Sequence, residues 1–298
     1  MTTGWAARAS SDYAVSMAHL VPPFDWDGTV HSVFATACNI AVGESLITVH
    51  DAQKQHTPTS VRVAAVGATP WTPIAHVGDR ASFRAGWLSF GSHLLDLSEV
   101  PIWAPGPPAR FAAPADARRL LDELIRVHGA PTARSSSALT STLAHDLAAL
   151  RGIVTAGTAS DPRTDDLDVV VGRMIGAGVG LTPTGDDVLV GLLAALTRGG
   201  QTAAATAIVS RVAETVLRNT HRTTDISAHY LRLATRGSFG EPLTNLVDSV
   251  VTGSSVDDVH ARTREVLSVG ASSGADALLG VLLGLDAALD FSDSKKAL

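Results

Sequence analysis

Two stretches of this sequence share one pattern: Thr184-Gly-Asp-Asp-Val-Leu-Val-Gly-Leu-Leu-Ala-Ala-Leu196 and Ser273-Gly-Ala-Asp-Ala-Leu-Leu-Gly-Val-Leu-Leu-Gly-Leu285. Each begins with a hydroxyl residue and a glycine, and Asp187 in the first corresponds to Asp276 in the second. The rest of each stretch is apolar on every side of a helix, which is typical of helices inside a domain. Both also carry a glycine at the eighth position, a poor helix former that favours close helix–helix contact. The repeat therefore predicts two buried helices that pack side by side and begin at one cleft.

A glycine-rich loop precedes each of these helices. The first is Gly176-Ala-Gly-Val-Gly-Leu-Thr-Pro-Thr-Gly185 and the second is Gly270-Ala-Ser-Ser-Gly274. Glycine lets backbone N–H groups approach a ligand closely, and a helix N-terminus favours an anion. Asp and Ser at helix starts also act as ordinary caps, and Asp186, which corresponds to Ala275, fits a cap alone. Because the pattern occurs twice and the first copy doubles its aspartate, we favour a binding site.

Several familiar motifs are absent from these loops. No Lys-Ser or Lys-Thr follows Gly185, which excludes a phosphate loop of the Walker type. The spacing of the other glycines differs from the dinucleotide-binding fingerprint. Ser272 and Ser273 lack the Gly-x-Ser-x-Gly elbow of a serine hydrolase. The loops therefore predict an anion-binding site of another kind.

The chain changes character at a proline-rich stretch, Pro101–Pro108. Before it, runs of alternating apolar residues predict short antiparallel strands at Thr29–Asn39, Ser45–His50, Thr59–Val66 and Ser82–Phe90. After it, apolar residues recur at helical spacing, and besides the two repeat helices we predict Ala115–Val127, Ser137–Leu150, Thr164–Ile175, Ala203–Asn219, Ile226–Arg236, Glu241–Val251 and Val256–Val269. Gly129 is the expected C-cap of the first of these, and Ser254 or Ser255 the N-cap of the last. The predicted fold class is α+β, with a small antiparallel β domain over residues 1–105 and a mostly helical domain with buried helices over residues 106–298.

Composition narrows the class of protein. With 45% hydrophobic and 17% charged residues and a mean hydropathy of +0.20, the chain of 298 residues has the composition of a folded protein. A net charge of −6 without basic runs excludes a nucleic-acid binder. The single cysteine, Cys38, fits a reducing compartment and a small core residue. Because neither a signal core nor a membrane-length apolar stretch is found, we expect a cytoplasmic protein without a membrane partner. The few Lys and Arg favour an oligomer or a heterocomplex.

Four segments carry a resemblance to one family. Gly180–Asp187 and Ser272-Ser-Gly-Ala-Asp276 resemble the AllH-like family, and Val30–Phe34 and Thr223–Ser227 extend the likeness over nearly the whole chain. The family includes a subunit of oxamate carbamoyltransferase from anaerobic allantoin degradation. The resemblance implies transfer of a carbamoyl group between phosphate and the nitrogen of a small carboxylic acid, a place in purine and nitrogen metabolism, and FdrA-like partner subunits. Ala271 departs from the family's pattern, because relatives tend to carry His there.

The residues of the two loops suit a carbamoyl ligand, which has anionic oxygens, a carbonyl group and N–H donors. Backbone amides and hydroxyls serve the oxygens, while carboxylates accept from the N–H groups. We predict Asp187, Asp276 and Ser273 as catalytic residues. The predicted substrate-binding residues are Gly180, Thr182, Thr184, Gly185, Asp186, Ser272, Gly274, Thr224 and Ser227. Two carboxylates beside a phosphate repel it, so they must face the donor end of the ligand, hold a cation or share a proton.

Metal ions and other polar residues leave alternatives open. The sequence requires no cofactor, but Mg²⁺ could be held by Asp186, Asp187 and Asp276. The eleven histidines are scattered and predict no zinc site. We interpret His31 as a structural or interface residue. At the helix start that Thr224 and Ser227 could cap, three further residues are interpreted as surface residues: His221, Arg222 and His229.

Three functions stay open at this point. The first is a carbamoyltransferase component that acts on a ureido- or oxamate-type acid with carbamoyl phosphate or phosphate. The second is a ligand-binding or assembly subunit of such a complex, without catalysis of its own. The third is a Mg²⁺-dependent helical hydrolase. The first is favoured by the family likeness, because carbamoyl transfer can proceed by positioning and charge stabilisation without a dedicated nucleophile.

Overall fold

The computed structural model describes residues 13–64, 75–129, 141–155 and 164–294. The chain divides into two compact units, Met1–Pro105 and Gly106–Leu298, and the division falls inside the proline-rich stretch. The first unit is a curled, mostly antiparallel sheet and the second is helical, which confirms the predicted α+β class. None of the helices within the described ranges has the length and apolar character needed to cross a membrane.

The described strands of the first unit form one nine-stranded sheet: β1 (Tyr13–Ala18), β2 (Trp26–Val33), β3 (Ala37–Val42), β4 (Ser45–Asp51), β5 (Ser60–Ala64), β6 (Arg80–Arg84), β7 (Trp87–Phe90), β8 (His93–Asp96) and β9 (Ile102–Trp103). Their order across the sheet is β8-β7-β6-β2-β3-β4-β5-β1-β9. Most neighbours are antiparallel, but β4 pairs with β5, and β1 with β9, in parallel. Strand β9, from the proline-rich stretch, lies at the edge of the sheet, where proline is tolerated.

Alternation along the strands decides which face of the sheet is buried. Val61 and Val63 of β5 join the apolar core, whereas Arg62 between them is only partly buried. Cys38 lies fully buried in the same core, as predicted.

Two strand predictions are wrong in extent. The run Thr29–Asn39 forms two strands, β2 and β3, separated by residues 34–36. Ser82–Phe90 also forms two, because Ala85 and Gly86 have φ of 48° and 86° and make the tight turn of a hairpin. Alanine rarely adopts a positive φ, so the alternation gives no sign of this turn. The patterns also miss β1, β8 and β9.

The second unit contains nine α-helices within its described residues: α1 (Pro114–His128), α2 (Ser141–Thr155), α3 (Thr164–Met174), α4 (Thr184–Gly199), α5 (Ala203–Asn219), α6 (Asp225–Thr235), α7 (Glu241–Thr252), α8 (Val256–Leu267) and α9 (Ser273–Ser294). A short 3-10 turn, Thr220–Arg222, precedes α6. The predicted helices all form, although α2 continues five residues beyond its predicted end, and residues 137–140 of that prediction lie outside the described ranges. Gly129 and Ser255 act as the predicted caps, since the Gly129 N–H bonds to the Ile125 carbonyl and Ser255 accepts from the Asp258 N–H.

Helices α4 and α9 form the centre of the helical core and run parallel in main-chain contact. A Cβ on Gly191 would lie 2.0 Å from the carbonyl oxygen of Ala277, and one on Gly280 would lie 2.0 Å from that of Val188. Positions 188 and 191 of the first stretch correspond to 277 and 280 of the second, so these two contacts are reciprocal. The two buried helices that form the sequence repeat are therefore related by an approximate two-fold rotation.

Candidate functional site

The two glycine-rich loops meet where α4 and α9 begin. Thr182 Oγ1 and Ser273 Oγ are 2.6 Å apart, and Thr184 Oγ1 donates to Asp276 Oδ2 at 3.0 Å. The two helix N-termini therefore lie side by side, as the repeat predicts. Both direct the positive end of a helix dipole towards one place, which favours an anion there. Several first-turn N–H groups already donate within the protein, those of Gly185 and Gly274 to the carbonyl groups of Ala177 and Val269.

Each loop is packed against the end of the preceding helix through a glycine. A Cβ on Gly185 would lie 2.1 Å from the carbonyl oxygen of Met174 at the end of α3. A Cβ on Gly274 would lie 1.9 Å from that of Val266 in the last turn of α8. Both glycines are therefore required by packing, and the pairs α3–α4 and α8–α9 are equivalent helical hairpins.

Asp186 holds the first loop in place through hydrogen bonds of its side chain. Its buried carboxylate accepts from the Gly176 N–H at 2.8 Å, from Ser227 Oγ at 2.7 Å, and from the Thr223 hydroxyl. The N-cap of α4 is Pro183, with no side-chain cap, so the interpretation of Asp186 as a simple cap is wrong. The carboxylate joins the loop to the segment before α6, and its contacts are with the protein itself.

Asp187 and Asp276 occupy equivalent positions, one on each helix. Burial raises the pKa of Asp187 to about 8, with smaller contributions from the charges of Asp276 and Asp186, while hydrogen bonds from Thr182 and Ser273 oppose the rise. Burial also raises the pKa of Asp276, against hydrogen bonds from Thr184 and Ser272. Asp187 therefore carries a proton at neutral pH. Its Oδ2 is buried and has no hydrogen-bond partner in the described structure, so one polar atom of the site stays unsatisfied.

The predicted site residues lie at three depths. Gly180 and Ser272 are exposed on the two loops. Thr182, Ser273 and Asp187 are half-buried beneath them. The floor consists of buried residues: Thr184, Gly185, Asp186, Gly274 and Asp276. Hydroxyl groups and carboxyl groups therefore lie together at the start of the two helices.

The segment before α6 supports the first loop and corrects one prediction. Thr224 caps α6 by accepting from the Ser227 N–H at 3.1 Å, and its hydroxyl donates to the Leu181 carbonyl. His229 is buried, and burial lowers its pKa to about 4, so its interpretation as a surface residue is wrong. His221 and Arg222 are exposed, as predicted. Thr223 supports Asp186 but has no predicted role, although it stands in a segment that carries the family resemblance.

The three carboxylates considered as Mg²⁺ ligands do not form a metal-binding cluster among the described residues. Within the described ranges, no group of three or more His, Cys, Asp or Glu side chains is arranged to hold a metal ion. The Asp186 carboxylate is turned towards Gly176 and Ser227, which leaves Asp187 and Asp276 as the two carboxyl groups of the loop side. Binding of Mg²⁺ by these residues stays an untested alternative.

Comparison with known families gives matches in both units. Residues 174–285, from the last residue of α3 into α9, match the family described as oxamate carbamoyltransferase subunit AllH. Residues 9–102 match the AllH family N-terminal domain. The chain belongs to the AllH family. The resemblance drawn from the loop motifs is thereby confirmed. No solved structure matches the chain.

Membership in the AllH family gives the site its chemical context. The match to residues 174–285 contains both loops and both repeat helices, so the part of the chain named after the carbamoyltransferase subunit is the part that builds the site. The family description supports a carbamoyltransferase-related role and, through the word subunit, a multi-subunit complex.

Proposed function

We propose that this AllH-family chain is a component of a carbamoyltransferase and that the start of α4 and α9 binds its small substrates. The substrates are carbamoyl phosphate, or phosphate in the reverse direction, and a ureido- or oxamate-type acid. The observation that carries the proposal is the convergence of two parallel helix N-termini around Asp187 and Asp276. Helix N-termini bind anionic oxygens, and carboxyl groups accept the N–H groups of a carbamoyl unit.

The raised pKa of Asp187 supports binding of an anion beside two carboxyl groups. A protonated carboxyl group does not repel phosphate and can donate a hydrogen bond to its oxygen. Of the three arrangements that the sequence leaves open, the raised pKa of Asp187 favours a retained proton.

The transfer itself needs positioning and a place for one proton. The nitrogen of the acceptor acid attacks the carbamoyl carbon, the bond from that carbon to the phosphate oxygen breaks, and phosphate leaves. The proton lost by the nitrogen passes to a carboxylate, for which Asp276 is the proposed acceptor. The positive ends of the α4 and α9 dipoles, with the hydroxyl groups of Thr182 and Ser273, stabilise the negative charge that develops on the carbonyl oxygen.

The test is binding of carbamoyl phosphate, phosphate and oxamate by calorimetry. For Asp187→Ala, which removes the hydrogen-bond donor of the protonated carboxyl group, we expect an affinity about ten- to a hundredfold lower, because a hydrogen bond to a charged group contributes about 1.5–3 kcal/mol. Asp257→Ala is the matched control, since it removes one first-turn aspartate from α8, away from the loops. Equal affinities in all three proteins would remove Asp187 from the site.

A second candidate function is a ligand-binding subunit whose partners perform the chemistry. The word subunit in the family description favours it. Measuring phosphate release from carbamoyl phosphate distinguishes the two functions. A binding subunit holds carbamoyl phosphate but forms no phosphate until its partner is added. A catalytic component loses its turnover in the assembled complex when Asp276 is changed to Asn.

A further inference from the structure

The surface around the site is unusually apolar. In the helical unit, half of the exposed large apolar side chains within the described residues lie on the two loops or at the end of α8. We call these four residues the rim. They are Val179, Leu181, Leu267 and Val269, with exposed fractions of 80%, 52%, 37% and 44%. The two loops touch through Thr182 and Ser273, so the rim residues belong to one part of the surface, at the start of α4 and α9.

Both loops also lack charge. Residues 175–183 and 268–272 contain no Asp, Glu, Lys or Arg. A surface that faces only water is normally rich in charged side chains, whereas the centre of a protein–protein interface is depleted of them and enriched in apolar ones. The rim therefore has the composition of an interface centre.

The carboxyl groups of the site have no cationic partner. No ion pair joins Asp186, Asp187 or Asp276 to a Lys, Arg or His in the part of the chain that the structure describes. Phosphate-binding sites commonly pair the helix N-terminus with an Arg or Lys, which holds the anion through charge-assisted hydrogen bonds. The chain supplies the helix N-termini, hydroxyl groups and carboxyl groups of such a site.

We propose that the rim is the docking surface of a partner subunit that presents an apolar patch with an Arg or Lys at its centre, and that this side chain completes the site between α4 and α9. The partner's apolar patch covers the rim, and its basic group meets the anion held by the helix N-termini. The docking surface stands on exposure and composition; the role of the basic group rests on the proposed function.

The docking surface is tested with matched variants of the full chain. Val179→Asn/Leu181→Gln changes two rim residues, and Val169→Asn/Leu217→Gln makes the same changes on α3 and α5 at side chains 53% and 52% exposed. Each tagged protein is purified from cells that carry the chain's own genomic neighbours, and the complex is weighed by native mass spectrometry. The co-purified subunit is then produced separately, and its affinity for each variant is measured. We expect at least tenfold weaker binding for the rim variant alone.

Two results would overturn the docking surface. One is equal affinity of the partner for both variants. The other is a dimer of this chain that dissociates only in the rim variant, measured by light scattering, because the occupant would then be a second copy.

The missing cation is tested separately, with phosphate as the probe. Ala271 is exposed on the second loop, and Ala271→Arg supplies a basic side chain there, while Ala203→Arg adds the same charge at the start of α5. We expect phosphate to bind Ala271→Arg at least ten times more tightly than the unchanged chain or Ala203→Arg. Equal phosphate affinity in all three, or tight binding by the unchanged chain once Mg²⁺ is added, would contradict a cation from the partner. If neither phosphate nor carbamoyl phosphate binds any variant or the assembled complex, the proposed function fails, while the partner affinities still decide the docking surface.

Discussion

Asp186 and Asp187 are neighbours in the chain but have different tasks in the folded protein. The Asp186 carboxylate accepts three hydrogen bonds from the protein, whereas Asp187 Oδ2 is buried without a partner. The folded state therefore uses the Asp186 carboxylate as a hydrogen-bond acceptor and leaves one oxygen of Asp187 unsatisfied. Substitution of each by Asn should have opposite effects on stability.

Stability is expected to depend on pH through Asp187. Its pKa rises from an ordinary value of 3.8 to about 8 on folding, so above pH 4 the unfolded chain loses a proton that the folded chain keeps. This difference lowers the free energy of unfolding as the pH rises from about 4 to about 8. Asp187→Asn has no such proton, so its thermal midpoint should exceed that of the unchanged chain at pH 8 and approach it near pH 4. Parallel curves over this range would contradict the assignment.

Asp186→Asn serves as the contrasting variant. An amide cannot accept at both of its polar atoms, so at least one buried donor loses its partner, at a cost of about 1–3 kcal/mol. The thermal midpoint should fall by a few degrees at every pH.

At the scale of elements, the crossing of α4 and α9 depends on glycine. Gly280→Ala or Gly191→Ala would place a methyl group against a carbonyl oxygen of the other helix, so the helices must separate. We expect a loss of about 1–3 kcal/mol or more in the free energy of unfolding, measured by denaturant titration. Gly152→Ala in α2 is the control, because its Cβ meets no atom within 4 Å and the change should stabilise the helix by about 0.5–1 kcal/mol. Similar losses in all three variants would mean that close packing is not the cause.

The same elements show what the sequence predicts well. Helix α5 begins and ends where its apolar spacing predicts, and the pairing of α4 with α9 follows from the repeated glycine and aspartate positions. The meeting of Thr184 with Asp276 is predictable for the same reason.

Three features of the structure depend on contacts between residues distant in sequence, which local sequence patterns do not predict. The turn at Ala85 and Gly86 holds an alanine at a positive φ, which depends on the pairing of β6 with β7 as well as on the one glycine. The burial of His229 and the hydrogen bond of Thr223 to Asp186 depend on where α6 packs, which lies about forty residues away in sequence from the loop it supports. Tertiary packing decides these positions.

At the scale of the whole molecule, each unit has its own hydrophobic core, so the unfolding of the two units can be measured separately. One core contains buried residues of α1 to α9, and the other contains buried residues of the sheet, including Cys38. Burial, with the charge of Asp79, raises the pKa of the Cys38 thiol to about 12, so only about one molecule in ten thousand carries the thiolate at pH 8. Cys38 should therefore react with a thiol reagent only when the sheet unfolds.

The expected result is that Gly280→Ala leaves the reaction rate of Cys38 unchanged at pH 8 in mild denaturant, while it weakens the helical unit measured by circular dichroism. A faster reaction in this variant would show that the two units unfold together. The prediction of an oligomer or heterocomplex is measured independently, by light scattering on the unchanged chain.

The main-chain contact between α4 and α9 has a consequence for how the molecule exchanges hydrogen with solvent. Amides in the buried middle of these helices, such as those of Leu192 and Val281, become accessible only if the helices come apart, so they should exchange with deuterium at the rate of global unfolding. The exposed loop around Gly180 lies one turn away and should exchange through local opening, many times faster. The carboxyl groups of Asp187 and Asp276 would then belong to helices whose middles exchange most slowly. The loop around Gly180 would open locally without unfolding these helices.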